Sequence, residues 1–293
     1  MNRPALAVHV DLDGARQIFR AHGRAFPGDG DPIFASGMAN MLRLFAEVGI
    51  RATLFVIAED VRDPVKRSAI AEAAQSGHEL ASHTVTHPNL LQLNSAERRR
   101  EIAESKAMIE DALGSPVSGF RAPGYSMDAE SLRILSDSGY EYDSSVLPNA
   151  AFERRLARRR AELRRPQRFE EFGGIVELPL PGPAPLSFPI GPSFALAFRA
   201  WPLFHWMMAR AAARAHPTVL LFHLIDFAAP LDRTSLDSAR MSIFTLSTRS
   251  AAAKYEACRR MLRVVQRRFR LTATRELLAP FRSGAERVRA TDA

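Results

Sequence analysis

Short apolar runs alternate with longer amphipathic segments along most of this 293-residue chain, and this alternation restricts the possible folds. The longer segments predict helices near 36–48, 64–76, 95–113, 128–138 and 250–269. The short runs predict strands at 5–11, 52–57, 78–82, 118–122, 141–146, 175–178 and 218–223. Strand and helix in regular succession indicate a parallel sheet covered by helices, either a barrel or a doubly wound sheet. We expect a single α/β domain over residues 1–293, with an elaboration at about 147–217 and C-terminal helices at about 250–282.

The helix predicted at 95–113 carries signals at both of its ends. Ser95 stands at the expected N-cap position with acidic residues just behind it, and Gly114 and Pro116 follow the last turn. We therefore expect Ser95 to cap this helix.

Composition indicates a globular protein and excludes several classes. The hydrophobic content is 46%, and no run of eighteen apolar residues predicts a membrane-spanning helix. The first residues, MNRPALAVHVDLDG, contain acids and have no secretory apolar region, so we expect a cytoplasmic protein or one peripheral to the inner membrane. The single cysteine, Cys258, excludes an internal disulfide framework, and its place in an amphipathic helix predicts a small core residue.

Positive charge is concentrated in one segment. The net charge is +8, and the segment ERRLARRRAELRRPQR (153–168) alone contains eight arginines. A solvated helix on an insertion is one interpretation, and contact with anionic lipid headgroups or a phosphate-bearing substrate is the other. No aromatic residues interleave with the arginines, so no nucleic-acid partner is expected.

A proline-rich stretch, LPLPGPAPLSFPIGP (178–192), precedes a strongly apolar segment, FALAFRAWPLFHWMMARAAARAH (194–216). The apolar segment is rich in aromatic and methionine residues, which predicts a helix that packs on the core. A substrate lid or a membrane-surface helix is the alternative if both of its faces are apolar.

Two carboxylates stand at the end of the first predicted strand. In LAVHVDLDG, the period of two places Asp11 and Asp13 on the same face as His9, about 6 to 7 Å apart. Like charges at this spacing repel, and burial penalises each charged form. A cation, catalytic use or an open strand end would explain the pair.

Two histidines follow the third predicted strand. In GHELASHTVTHPNL, His83 and His87 are four residues apart, on the loop or short turn beyond the strand. Imidazoles at this spacing can share one ion. Together with an aspartate from another strand end they predict a His₂Asp site for zinc or another divalent first-row ion, with a coordination position left open for water.

Further polar residues lie at other strand ends. Arg121 in GFRAPGYS could orient a carboxylate, and the turn at Pro123-Gly124 could present backbone N–H groups to an oxyanion. Asp143 lies in YEYDSSV. His223 ends the apolar run TVLLFH and is a candidate general acid.

Taken in order, these motifs resemble those of the polysaccharide deacetylase family, which is the NodB-homology group or carbohydrate esterase family four. The matching elements are D-x-D after an apolar strand, S-H-T-x-x-H, F-R-A-P-G-Y, Y-D-S-S and L-x-F-H, and they extend over about residues 5–225. The resemblance implies a distorted parallel (β/α) barrel of about seven strands.

The resemblance also implies roles for individual residues. Asp13, His83 and His87 would hold the metal, and Asp11 would be the general base that activates a metal-bound water. Arg121 would orient Asp11, and the N–H of Gly124 would help hold the oxyanion. His223 would protonate the leaving amine, supported by Asp143 or Asp226. The family's usual sequence has adjacent aspartates, whereas this chain has V-D-L-D-G-A, so the roles of Asp11 and Asp13 could be exchanged.

The implied activity is that of a hydrolase acting on a non-peptide carbon–nitrogen bond. The expected reaction is metal-dependent removal of an acyl group, first of all acetyl, from an N-acylated amino sugar in a glycan or glycolipid precursor. The expected ion is Zn²⁺, with Co²⁺, Ni²⁺ and Mn²⁺ as alternatives. Other substrates to consider are a lipid-linked formamido sugar at the inner membrane surface and a non-sugar linear amide. A catalytically silent membrane-surface binding module is the alternative outside the enzymes.

Overall fold

A computed structural model describes residues 3–182, 191–232, 236 and 238–282 of the chain. Within these residues the backbone forms one sheet, whose strands are β1 (Ala5–Asp11), β2 (Thr53–Val56), β3 (Glu79–Ser82), β4 (Gly119–Phe120), β5 (Tyr142–Asp143), β6 (Gln167–Phe169), β7 (Ile175–Glu177), β8 (Thr218–His223) and β9 (Arg270–Thr272). Their order is β6-β7-β5-β4-β3-β2-β1-β8, and β9 pairs with β1. Every pairing is parallel except that of β6 with β7. The prediction of a distorted parallel (β/α) barrel is confirmed, and the short strands β6 and β9 were not predicted.

Helices cover the sheet. They are α1 (Ala15–Ala21), α2 (Pro32–Val48), α3 (Pro64–Gln75), α4 (Ser95–Leu113), α5 (Ala129–Asp137), α6 (Ala150–Leu156), α7 (Pro192–Phe198), α8 (Trp201–Ala213), α9 (Ala239–Phe244), α10 (Ala251–Arg268) and α11 (Thr274–Arg282). In the described part of the chain, no helix is both long and apolar enough to cross a bilayer. Cys258 is buried in α10, as predicted.

The core lies on both faces of β1, which pairs with β2, β8 and β9. Leu6, Val8 and Val10 point to one face and are buried, and on the other face Ala7 and His9 are buried as well. A strand enclosed on both faces is typical of a parallel sheet between helices, which explains its nearly continuous apolar sequence.

Helix α2 packs closely against the segment that follows β8. Asp31 caps its N-terminus by accepting a hydrogen bond from the N–H of Phe34. A side chain at Gly37 would place its Cβ 2.9 Å from the carbonyl oxygen of Leu224, so only glycine permits this approach. The Nδ2 of Asn40 donates to the carbonyl of Phe227 at 2.9 Å. These contacts fix the position of the turn that begins just after His223.

Two sequence predictions need correction. Helix α4 is capped by Asn94 and not by Ser95, because the Asn94 side chain and the Glu97 side chain accept each other's backbone N–H groups. The arginine-rich segment is not one solvated helix: α6 ends at Leu156, and the chain continues through a turn into β6. The proline-rich stretch 178–192 lies in part outside the described residues, which omit 183–190.

Candidate metal centre

The carboxyl ends of the parallel strands meet at one edge of the sheet, and the predicted site residues lie there. In the register, Asp11 of β1 is paired with Phe55 of β2 and His223 of β8. His83 and Arg121 are the residues after β3 and β4. A parallel arrangement therefore brings side chains from distant parts of the sequence to one place, as at the equivalent edge of (β/α) barrels.

Three of these side chains converge as a metal centre would require. Oδ1 of Asp13 lies 3.1 Å from Nε2 of His87 and 3.5 Å from Nε2 of His83. One ligand atom from each residue falls within a mutual separation of 4.8 Å. Oδ1 of Asp13 is buried and accepts no conventional hydrogen bond from the described residues. One carboxylate and two imidazoles are a donor set that suits a divalent first-row ion, and the cluster therefore fits such an ion.

The pKa values of His83 and Asp13 suit this arrangement, whereas His87 would have to lose a proton. Burial lowers the pKa of His83, which favours the neutral ring that a metal ligand requires. Burial by itself would raise the pKa of Asp13, but the charges of His87, His83 and His223 outweigh it and hold that pKa below its ordinary value. Burial by itself would lower the pKa of His87, but the charge of Asp13 and the hydrogen bond to it raise that pKa, so an ion bound here would displace a proton from His87.

The two histidines lie on a loop whose backbone is fixed by hydrogen bonds to α4. Thr84 and His87 both have positive φ angles, 68° and 62°, so the loop turns sharply twice. Glu101 on α4 accepts hydrogen bonds from the N–H groups of Val85 and Thr86 and from the Thr86 hydroxyl, at 2.8 to 2.9 Å. The loop, and not a helical turn, brings the two rings to a centroid distance of 5.0 Å.

Asp11 is held by Arg121 and directs one oxygen toward the centre. Nη1 of Arg121 donates to Oδ1 of Asp11 at 2.7 Å, and both side chains are buried. The other oxygen, Oδ2, lies 4.0 Å from Nε2 of His83 and 3.8 Å from Nε2 of His223. Asp13 is therefore closer to both imidazoles of the cluster than Asp11 is.

His9 and Ser144 complete the environment of the Arg121 guanidinium. Nη2 of Arg121 lies 2.8 Å from Nδ1 of His9 and 2.8 Å from the hydroxyl of Ser144. Burial and then the Arg121 charge hold the pKa of His9 well below its ordinary value. His9 is thus neutral and accepts from Arg121 at Nδ1, while Nε2 can donate to the hydroxyl of Thr274, 3.0 Å away. Sequence reasoning placed His9 on the same face but assigned it no role.

His223 is positioned by residues on both sides of it. Its Nδ1 lies 3.0 Å from the hydroxyl of Ser193 on α7, and its backbone N–H donates to Oδ2 of Asp226 at 2.9 Å. Lys254 of α10 donates to the carbonyl of Ile225 at 3.0 Å and places a buried cation behind Asp226. Of the two carboxylates considered as supports for His223, Asp226 is the one beside it.

Asp143 lies in a different environment. It accepts from the hydroxyl of Ser145 at 2.7 Å and from that residue's N–H at 3.1 Å, and its carboxyl shares a hydrogen bond with the buried Glu177. Ser145 in turn accepts from the N–H of Ala122 at 2.8 Å. No hydrogen bond or ion pair joins Asp143 to His223 in the described structure. Asp143 thus supports the backbone around Arg121.

The turn after Arg121 contains one backbone N–H without a backbone acceptor among the described residues. Gly124 has φ 56° and Tyr125 has φ 59°. The N–H groups of Tyr125 and Ser126 donate to Ala122 and Pro123, whereas among the described residues the N–H of Gly124 has no such acceptor. Burial raises the pKa of the Tyr125 hydroxyl, and the charge of Asp11 raises it further. Tyr125 therefore borders the centre, a position that the motif alone did not reveal.

Sequence reasoning missed several residues of the site environment, among them Ser193, Glu101 and Tyr125. Ser193 and Glu101 belong to helices other than the segments they contact, and no motif or periodicity marks them. Tyr125 belongs to the quoted motif F-R-A-P-G-Y, so the signal that could have found it was present.

Fold and site together define a class: a parallel (β/α) protein whose strand ends converge on an Asp-His-His cluster. The sequence model of the polysaccharide deacetylase family matches residues 29–142. The resemblance to the polysaccharide deacetylase family is therefore confirmed over these residues. The matched segment contains His83, His87 and Arg121, whereas Asp11, Asp13 and His223 are brought to them by the fold.

Relatives match parts of the chain in sequence, and a solved structure shares its fold. The chain is 29% identical over 119 residues to a peptidoglycan deacetylase-like protein of Gibberella zeae, covering 39% of this chain and 34% of that one. It is 23% identical over 152 residues to a peptidoglycan deacetylase of Helicobacter pylori, covering 49% and 50%. It thus spans between a third and a half of the length of these relatives. A structure from Mycobacterium smegmatis, assigned to the polysaccharide deacetylases, superposes with a TM-score of 0.65 at 17% identity, over 97% of this chain and 92% of that one, which shows the shared fold.

Proposed function

We propose that the protein is a metal-dependent hydrolase that removes an N-acyl group, first of all acetyl, from an amino sugar. The observation that carries the proposal is the convergence of Asp13, His83 and His87, with Asp11 and His223 directly beside them. The relatives' names describe deacetylases that act on a glycan, which supports an N-acylated amino sugar as the substrate class.

Asp13, His83 and His87 would hold a divalent ion, with Zn²⁺ as the first choice. When bound, the ion polarises the amide carbonyl and makes water a stronger nucleophile near neutral pH. The geometry supports Asp13 as the ligand, because its Oδ1 lies closer to both Nε2 atoms than Asp11 does. The same comparison leaves Asp11 for proton transfer.

The other residues would transfer protons and stabilise the negative charge that develops on the carbonyl oxygen. Asp11 has one oxygen tied to Arg121 and the other directed to the centre, so it would accept the proton of the attacking water. The N–H of Gly124 would stabilise the oxyanion. His223, with 27% of its side chain exposed beside Asp11, would donate a proton to the leaving amine.

The test is acetate release from N-acetylated amino sugars, with formate release from formamido sugars as a parallel assay. We expect activity that is lost with a chelator and restored by Zn²⁺, and that falls by about 100-fold or more in His83→Ala. The matched control is His22→Ala, because His22 follows α1, stacks on Phe244 and is not part of the Asp-His-His cluster. Full activity in His83→Ala would refute the site assignment. One equivalent of bound metal without hydrolysis of any amide would favour a silent binding module.

The substrate's carrier is a separate part of the proposal. We infer that the amino sugar is carried either in a soluble conjugate or on a lipid at the inner membrane surface. Comparing kcat/KM for a water-soluble N-acetylated sugar and for its lipid-linked form distinguishes the two. A preference of less than about tenfold for the lipid-linked form would exclude the membrane-bound substrate as the favoured one.

A further inference from the structure

Helices α7 and α8 present an exposed aromatic and cationic surface. Phe198 at the end of α7 is 60% exposed and Trp206 on α8 is 49% exposed. Arg199 and Arg210 are exposed next to them, and the Arg210 guanidinium lies 5.1 Å from the Trp206 ring centre. The opposite face of α8 packs into the core through Phe204 and Met208. Only one face of the helix is therefore buried, and the other presents large apolar side chains to water.

A cluster of cations continues this surface. Besides burial, the charges of Arg164 and Arg210 lower the pKa of Arg214 at the end of α8. Burial, and then the charges of Arg165 and Arg214, likewise lower the pKa of His216. None of these residues forms an ion pair with a carboxylate in the part of the chain that the structure describes. The Nε of Arg164 is buried and has no hydrogen-bond partner there. We call Arg164, Arg165, Arg210 and Arg214 the basic cluster.

Repulsion between its positive charges makes the basic cluster energetically unfavourable unless an anion binds to it. Burial lowers the pKa of Arg214, and the neighbouring guanidiniums lower it further. In the same segment, Arg158 and Arg160 do have carboxylate partners, in Glu171 and Glu153. Carboxylates thus neutralise Arg158 and Arg160 of the arginine-rich segment 153–168. The charges of Arg164 and Arg165, next to α8, have no carboxylate partner among the described residues.

The same helices touch the candidate metal centre. Ser193 in the first turn of α7 contacts His223 at 3.0 Å. Helix α7 thus lies beside the centre, whereas Arg214 lies just before the start of β8, at the end of that strand opposite to His223.

We propose that the basic cluster, with Phe198 and Trp206, binds the surface of a membrane that contains anionic lipids. Guanidiniums would contact the phosphates while the indole and phenyl rings enter the interfacial region, where aromatic side chains are favoured. Two exposed apolar rings beside the cations favour a lipid surface over a nucleic acid, whose phosphates would satisfy the cations and leave Phe198 in water. This inference goes beyond the proposed hydrolysis and does not depend on it.

The test is flotation of the full chain with vesicles, without any sugar substrate. Binding is expected to phosphatidylcholine vesicles that contain phosphatidylglycerol and not to phosphatidylcholine alone. The double variant Arg165→Glu/Arg210→Glu should bind about 30-fold more weakly or worse, and Trp206→Ala about tenfold more weakly. The matched control is Arg67→Glu/Arg100→Glu, which makes the same charge change at exposed positions of α3 and α4 and should bind like the unaltered protein.

A second measurement locates the contact. Because the chain has two tryptophans, Trp201→Phe leaves Trp206 as the single indole reporter, and its emission should shift to the blue with anionic vesicles. Equal loss of binding in both charge-reversal variants, or no flotation at all, would overturn the proposal. Binding of duplex DNA but not of vesicles, lost in the Arg165→Glu/Arg210→Glu variant, would replace the membrane by a nucleic acid and overturn it as well.

Discussion

Nδ1 of His83 lies 2.7 Å from the carbonyl oxygen of Arg121, and the side chain of the same arginine binds Asp11. A ring nitrogen that donates to a carbonyl carries the proton at Nδ1, so Nε2 keeps its lone pair for an ion. Arg121 thus fixes the orientation of a candidate metal ligand with its backbone and of the candidate base with its side chain.

Replacing Arg121 with lysine separates these two contributions. Arg121→Lys keeps the backbone carbonyl and the positive charge but loses the fork that holds Asp11, His9 and Ser144 together. We expect metal content to be retained and kcat to fall at least about tenfold, which is about 1.4 kcal/mol of activation free energy. Metal analysis and steady-state kinetics on the same preparation check this.

Arg121→Met provides the comparison. It leaves the buried Asp11 carboxylate without its cation and should lower the free energy of unfolding by about 3–5 kcal/mol. An Arg121→Lys protein with unchanged kcat would show that the fork is not needed to orient Asp11.

Asp226 and Asp143 should affect the pH dependence of catalysis differently. The negative charge of Asp226 next to His223 favours the protonated imidazole that is needed for donation to the amine. Asp226→Asn removes this charge. We expect the alkaline limb of kcat/KM against pH to move down by about one pH unit in Asp226→Asn. Asp143→Asn should leave that limb in place, because Asp143 binds Ser145 instead. Equal shifts in the two variants would contradict this assignment.

The pair Asp143 and Glu177 should make stability depend on pH. Burial raises the pKa of each carboxyl, and the neighbouring Asp143 charge raises that of Glu177 further. The folded protein therefore keeps protons on this pair at pH values where the unfolded chain has lost them. Unfolding releases those protons, so the free energy of unfolding falls as pH rises above about 4.3, the ordinary carboxyl value.

Glu177→Gln should reduce this dependence. The amide oxygen can still accept from the N–H of Val146, which Oε1 of Glu177 accepts at 3.0 Å, and one ionisable group is removed. We expect urea denaturation between pH 5 and pH 8 to show a slope that is shallower by up to about 1.4 kcal/mol per pH unit. Glu104→Gln, at an exposed position on α4, is the control and should follow the unaltered protein. A slope unchanged by Glu177→Gln would mean that the pair ionises like ordinary carboxyls.

Much of the site could be predicted from the sequence because its residues lie at the carboxyl ends of predicted parallel strands. Asp11, His83 and Arg121 each stand at or just after an apolar strand, and parallel strands bring their carboxyl ends to one edge. The proximity of these three side chains could therefore be predicted before any side-chain position was known.

The remaining contacts depend on packing that periodicity does not determine. Glu101 reaches the histidine loop because α4 lies beneath it, and Ser193 reaches His223 because α7 folds back on β8. Asp143 belongs to a strand of only two residues, too short for the period of two to show which way its carboxylate points. The support for His223 could thus not be chosen between Asp143 and Asp226 from the sequence.

The N-terminus of α4 offers a matched pair of stability tests. Asn94 accepts from the N–H of Glu97 at 3.0 Å, and Glu97 accepts from the N–H of Asn94 at 3.0 Å, so Asn94→Ala removes one of two reciprocal bonds. We expect Asn94→Ala to lower the free energy of unfolding by about 1 kcal/mol, and Ser95→Ala, at an exposed position inside the first turn, to change it by less than about 0.5 kcal/mol. Urea denaturation of the two variants side by side checks the ranking. A larger loss in Ser95→Ala than in Asn94→Ala would return the cap to Ser95, where the sequence pattern alone places it.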